Sequence, residues 1–240
     1  MAHSWSIMHK ILKSLGCNYT YQDTPIDLEK SKPSKQIPEA TTKVTIAHPA
    51  YNCKNLEELK NAMYNFTGCA LKETALNTVF SDGNPSSQVM LVGEAPGADE
   101  DTQGLPFVGQ SGQLLNKIFA SVGLSRDKLY IANIVPWRPP GNRTPSTDEI
   151  AACQPFIERH IELVNPKILV LLGGVAAKTL LNTNNGITSL RGKFIDYTTH
   201  DGNIIPCLAT YHPAYLLRSP GQKAQVWQDV LRIKLKLENS

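Results

Sequence analysis

Three short runs constrain this chain more than anything else in it. QVMLVGE (88–94), KLYIANIV (128–135) and KILVLLG (167–173) are almost wholly apolar, and each is followed by a segment of different character. A short run that is apolar on both faces suits a strand buried in a parallel sheet. GQLLNKIFASVG (112–123) has a helical period and ends in Gly. Residues 146–164 open with Ser146 and Glu149 three apart, a capping-box spacing. GVAAKTLLN (174–182) and KAQVWQDVLRIKLKL (223–237) predict two more helices. GKFIDY (192–197) and NIIPCLATYHP (203–213) read as strands around the turn Asp201-Gly202. The alternation predicts an α/β fold: a three-layer α/β/α sandwich around a central, mainly parallel, roughly four-stranded sheet. Ligands of such sheets sit beyond the carboxyl ends of the strands. The informative segments are therefore those after Gly93, Val135 and Ala209.

Composition supports a real core: 41% of the 240 residues are hydrophobic, which excludes global disorder. A net charge of +3 neither requires nor excludes nucleic acid. No apolar run approaches the roughly 18–20 residues of a membrane span. Trp5, Ile7, Met8, Ile11 and Leu12 fall at helical spacing, so residues 4–15 read as a short amphipathic helix and not a signal peptide. Pro25, Pro33, Pro38 and Pro49 then punctuate an aperiodic stretch. The expected division is a helix and linker over 1–54 and one domain over 55–240. Five scattered cysteines with no CxxC pair fit free thiols in a reducing cytoplasm.

After the first strand, GEAPGADEDTQGLPFVGQSGQ (93–113) gathers Glu94, Asp99, Glu100 and Asp101 without a base among 93–109. It matches no phosphate-loop pattern, and acidic side chains repel phosphate. The carboxylates read as a divalent-metal site, as a group that positions water, or as a solvated acidic loop. Phe107 is either a plug on the core or a stacking platform for a planar ligand. After the second strand, Asn133 ends an apolar run, and its amide matches a nucleobase edge or binds a neighbouring loop. Arg138 and Arg143 flank the stiff Pro-Pro-Gly-Asn run and read as phosphate contacts or as solvated side chains. After the last strand, His212 precedes Pro213 at a position opposite Glu94 and Asn133. Tyr215, Leu216, Leu217 and Arg218 form an apolar knuckle beside a cation, the composition of a wedge between base steps.

At these three segments the chain resembles the uracil-DNA glycosylase superfamily, specifically its type-4 branch. GEAPGADED and GLPFVG resemble the first motif, NIVPWRPPGNR the strand with the pyrimidine-reading Asn, and HPAYLLR the His-Pro motif and intercalating loop. The resemblance covers about residues 66–236. It implies a monofunctional enzyme that flips uracil out of DNA and hydrolyses its N-glycosidic bond, the first step of base excision repair. It implies that His212 bonds the developing O2 charge, that Asn133 reads the uracil edge, that Phe107 stacks on the ring and that the backbone at Ala95 closes the pocket. Glu94 and Glu100 are then expected to orient water and offset sugar charge. Leu216, Leu217, Arg218, Arg138 and Arg143 are expected to touch DNA. An Asp stands at the place of Ala95 in the best-known branch of the superfamily.

The resemblance also implies a 4Fe-4S cluster on four cysteines, two of them in a CxxC. Here Phe66 stands at the first position, Cys69 at the second, Trp137 at the third and Cys153 at the fourth. A cubane needs four thiolates, so no cofactor is expected unless Cys17, Cys53 or Cys207 substitutes. No basic insert or His follows the PFVG segment, so turnover rather than covalent trapping is expected. The partner is uracil-containing DNA, no membrane is involved, and a cytoplasmic monomer is expected. The competing readings are a protein that holds damaged or abasic DNA with weak catalysis, and a metal-dependent phosphoesterase.

Overall fold

The computed structural model describes His48–Asn239. The expected helix over 4–15 and the linker up to residue 47 lie outside the described residues. Helices α1 (Leu56–Asn65) and α2 (Leu71–Thr74) lead into strand β1 (Asp82–Gly83). Then come β2 (Val89–Gly93), α3 (Ala98–Gln103), α4 (Gln110–Ala120) and β3 (Leu129–Asn133). The chain continues through α5 (Thr147–Val164), β4 (Ile168–Leu172), α6 (Gly174–Leu180) and α7 (Ile187–Leu190). It closes with β5 (Phe194–Thr198), β6 (Ile204–Thr210), α8 (Pro213–Arg218) and α9 (Lys223–Glu238).

The sheet order is β1-β3-β2-β4-β6-β5. The four inner strands are parallel, as expected, but antiparallel edge strands bring the total to six. β1 contributes only two residues, too few for a periodic signal. β2, β3 and β4 are buried at every position, which explains their unbroken apolar sequence. Alternate residues divide between two cores. Met90 and Val92 face α1, α5 and α6, packing with Leu59, Phe156 and Ala177. Val89 and Leu91 face α4, α8 and α9, packing with Leu115, Leu216 and Val230. This is the three-layer arrangement that the alternation predicts.

The Ser146–Glu149 capping box is present at the start of α5, each side chain accepting the other's backbone N–H. The compact unit reaches further back than Asn55. A 3-10 turn at Pro49–Asn52 buries Ala50, and Arg159 Nε donates to the carbonyl of buried Cys53 at 2.8 Å. No helix among the described residues is long and apolar enough to cross a membrane.

Candidate active site

The carboxyl ends of β2, β3 and β6 open into one cleft of about 460 Å³. Glu94, Ala95, Glu100, Phe107, Asn133, His212 and Arg218 all line it, so residues more than a hundred positions apart converge as the sequence implied. Asn133 ends β3 and is 7% exposed. Its Oδ1 is buried and finds no hydrogen-bond partner among the described residues. A buried polar atom without a partner costs about 1–3 kcal/mol, so this oxygen marks a place where a donor belongs. A Cβ added to Gly93 would stand 2.4 Å from that oxygen and 2.6 Å from Cζ of Phe107. Only glycine leaves the gap between amide and ring open.

Phe107 adopts φ 53, the left-handed region. For a residue with a Cβ this costs about 1–2 kcal/mol. Arg126 holds it there: its Nη1 donates to the Phe107 carbonyl at 3.0 Å and its Nη2 to the Pro106 carbonyl at 2.6 Å. Asp82 on β1 pairs with Nε of the same guanidinium at 2.5 Å. Gly112 completes the turn, since a Cβ there would lie 1.9 Å from the Phe107 carbonyl oxygen. The ring sits 5.5 Å from that of His212.

His212 caps α8, and its Nδ1 accepts the N–H of Ala214 at 3.1 Å. With Nδ1 acting as acceptor, the neutral ring carries its proton on Nε2. Burial, with the Arg218 guanidinium nearby, pulls its pKa down to about 4 against the opposing pull of Glu100. At neutral pH the ring is therefore an uncharged donor. Glu94 is shifted the other way: burial raises its carboxyl above the usual range, while the Thr144 hydroxyl opposes the rise.

Two of the other acidic residues, Glu100 and Asp101, are already employed. Glu100 Oε2 accepts the N–H of Gly97 at 3.1 Å, and Oε1 accepts those of Val108 and Gly109 at 3.0 and 2.9 Å. Its carboxylate braces the loop that carries Phe107, so the structure makes it a brace and not a free water-orienting group. Asp101 Oδ1 accepts from Leu76 and Asn77. The reading of four carboxylates as a metal site fails on this accounting, and no such cluster of three ligands forms among the described residues.

One expected DNA contact is also corrected. Leu216 is fully buried, because the helical turn beginning at Pro213 directs it into the core beside Leu115 and Val230. Leu217 and Arg218 remain exposed. Arg143 is held by Glu149 at 2.8 and 2.6 Å, a fork on a carboxylate that the guanidinium drives down to about 2. Among the described residues, Arg138 bonds only its loop neighbour Asn142. Thr144 and Ser111 also line the cleft. Their signal in the sequence is only that they flank the RPPGNR and PFVG segments.

The four positions of the resembled cluster lie in the core under the Trp137 loop. Cys69 and Cys153 are buried and hydrogen-bond one another, which holds Cys69 down to about 7 and pushes Cys153 up. Phe66 and Trp137 stack with planes 12° apart and centroids 6.3 Å apart. Phe156 and His48 enclose Phe66, with centroids at 5.1 and 4.9 Å. Two thiols and two aromatic rings do not fit a cubane that needs four thiolates.

The family model of the uracil DNA glycosylase superfamily matches residues 80–231. The chain is similar to the type-4 uracil-DNA glycosylase of Sulfurisphaera tokodaii, 38% identical over 75% of this chain and 84% of that protein. It is 37% identical to the type-4 uracil-DNA glycosylase of Thermotoga maritima, over 75% of this chain and 93% of the relative. A type-5 uracil-DNA glycosylase of Pyrobaculum aerophilum is 31% identical, over 62% of this chain and 72% of the relative. On the match over residues 80–231 and these relatives, the chain belongs to the uracil DNA glycosylase superfamily.

Proposed function

We infer that this protein is a monofunctional uracil-DNA glycosylase that opens base excision repair by hydrolysing the N-glycosidic bond of a flipped deoxyuridine. The observation that carries the reading is the unpartnered Oδ1 of Asn133, buried beside the Phe107 ring. Uracil presents a ring N–H and a carbonyl on one edge, which match the carbonyl and NH₂ of one carboxamide. Thymine shares that edge and differs by its methyl group, so the amide alone does not separate the two. Phe107 supplies the stacking face.

Cleavage moves the glycosidic electron pair onto uracil, and charge builds on its O2. The Nε2–H of His212 donates to that oxygen without having to lose or gain a proton first. The sugar becomes cationic. Glu94, a stronger base than an ordinary carboxylate, orients the water that adds to C1′ and takes up its proton. Ala95 contributes backbone to the wall. Arg138, Leu217 and Arg218 face the duplex. The protein then works as a cytoplasmic monomer without a cluster, a reading supported at the cluster positions by the aromatic rings of Phe66 and Trp137.

The test is release of free uracil from a uracil-containing duplex under single-turnover conditions with excess EDTA. Full activity is expected. Binding of the duplex without release would favour the damage-holding protein, and EDTA-sensitive strand cleavage without release of uracil would favour the phosphoesterase.

A further inference from the structure

We propose that the Phe66–Trp137 stack is a mechanical joint standing in place of a metal joint, and that it positions the wall of the active-site cleft. The proposal rests on the glycosylase reading for the meaning of the cleft, but not for the joint itself. Three segments meet at the stack. Phe66 ends α1, where Lys72 Nζ binds its carbonyl at 2.9 Å. Trp137 starts the loop that runs through Arg138 to Thr144. Phe156 belongs to α5 and meets Phe66 edge-on. The same three segments carry the four resembled ligand positions: Phe66 and Cys69 together, then Trp137, then Cys153.

The joint is tied to the cleft on two sides. Trp137 Nε1 donates to Thr78 Oγ1 at 2.9 Å, and the N–H of Val79 donates to the Pro136 carbonyl at 2.9 Å. Residues 76 and 77 of that irregular segment are in turn held by Asp101, next to Glu100 in the helix that braces Phe107. On the other side, the loop leaving Trp137 ends at the Arg143–Glu149 fork on the first turn of α5, and its Thr144 touches Glu94. Trp137 is 1% exposed, and Phe66 is half-buried, packed onto the fully buried Phe156 at the edge of the core. Close-packed rings transmit position because they have few rotamers. Trp137 is thus a positioning residue for Glu94 and the cleft wall.

The test compares metal uptake and loop order. Wild-type protein and the double variant Phe66→Cys/Trp137→Cys are each reconstituted anaerobically with iron and sulfide. The variant, which then has four thiols with Cys69 and Cys153, is expected to hold about four iron and four sulfide per chain. Wild type is expected to hold no more than a Cys69→Ser/Cys153→Ser control. Stoichiometric uptake by wild type, lost in that control, would overturn the proposal. So would a folded double variant that takes up nothing.

Trp137→Ala and Trp137→Phe supply a second arm that does not depend on the double variant folding. Trp137→Ala is expected to speed proteolysis within 137–144 and to lower kcat/KM by up to about 100-fold, since displacing a reacting group by about 1 Å has that scale. Trp137→Phe keeps a ring and is expected to restore most of both. Proteolysis of the loop unchanged by Trp137→Ala overturns the joint even if the chain has no glycosylase activity.

Discussion

The backbone N–H of Ala214 donates to Nδ1 of His212 at 3.1 Å, so the residue two places downstream decides which ring nitrogen faces the cleft with a proton. The helix cap and the proposed donor to O2 are one and the same side chain. His212→Ala is expected to lower single-turnover excision about 10²–10³-fold, the scale of losing one donor to a developing oxyanion. Binding to uracil-containing DNA should fall far less. A rate within a few-fold of wild type would remove His212 from the mechanism.

The same geometry sets a pH dependence. With a pKa of about 4 the ring stays neutral from alkaline pH down to about 5. Excision is therefore expected to show no inflection near 6.5 that disappears in His212→Gln. Near pH 4 a proton on Nδ1 would break the bond to Ala214, and the rate should fall. A pH–rate profile over this range decides the matter.

Stability should fall with acid in a separate window. His160 is buried against Phe80, and its Nε2 lies 2.7 Å from the Tyr130 hydroxyl. Burial pulls its pKa down to about 3. The unfolded chain takes up the proton near 6.5 and the folded chain only near 3, so the unfolded state gains as pH drops between those values. Urea midpoints are expected to decline from pH 6.5 downward, with a shallower decline in His160→Phe. Identical pH slopes for the two proteins would contradict this.

Neighbouring leucines should separate cleanly. Leu216→Ala removes a fully buried side chain and is expected to cost about 2–5 kcal/mol of stability. Leu217→Ala, 44% exposed, should barely alter stability. It should instead slow excision from paired DNA more than from single strands, because only a duplex has a stack to open. Arg218→Ala should flatten the salt dependence of DNA binding by about one unit of slope. Arg143→Ala should flatten it less, because Glu149 already occupies that guanidinium. Equal losses on both substrates for Leu217→Ala would make the loop structural only.

Asp229 on α9 is fully buried, accepts from Thr210 at 2.7 Å and pairs with Arg191 at 2.7 Å. The Arg191 guanidinium lies over the Tyr211 ring, directly before His212. Asp229→Ala leaves that half-buried cation without its counterion and is expected to cost up to about 3 kcal/mol. A thermal or chemical unfolding curve close to wild type would show that water replaces the carboxylate.

What could be read from the sequence depended on the range of the interaction. The parallel strands and the start of α5 were legible because burial on both faces and a cap at Ser146 are local signals. Asn133 and His212 were legible because a polar residue at a strand end stands out, and Phe107 because an aromatic stands out in a Gly-rich loop. The work of Glu100 was not: its partners Val108 and Gly109 lie across a turn whose geometry no spacing reveals. Arg143 and Glu149 are six residues apart, but the Pro-bearing loop between them hides their meeting. Leu216 was misread because Leu216 and Leu217 look alike until Pro213 sets the phase of the helix. Arg126, in a polar run before β3, carries no pattern at all, although it grips three segments.

Arg126 holds the carbonyls of Pro106 and Phe107, so the ring proposed as the stacking floor is in place before any base arrives. The conformational cost of the Phe107 turn is met once, when the chain folds, and not at each encounter with DNA. A base that swings out for a moment meets a finished surface and needs no loop to settle during that moment. Capture is then governed by how often, and for how long, the base pair stands open. Sequences that breathe easily should be searched faster than stiff ones, with the protein itself as the unchanging partner in the exchange.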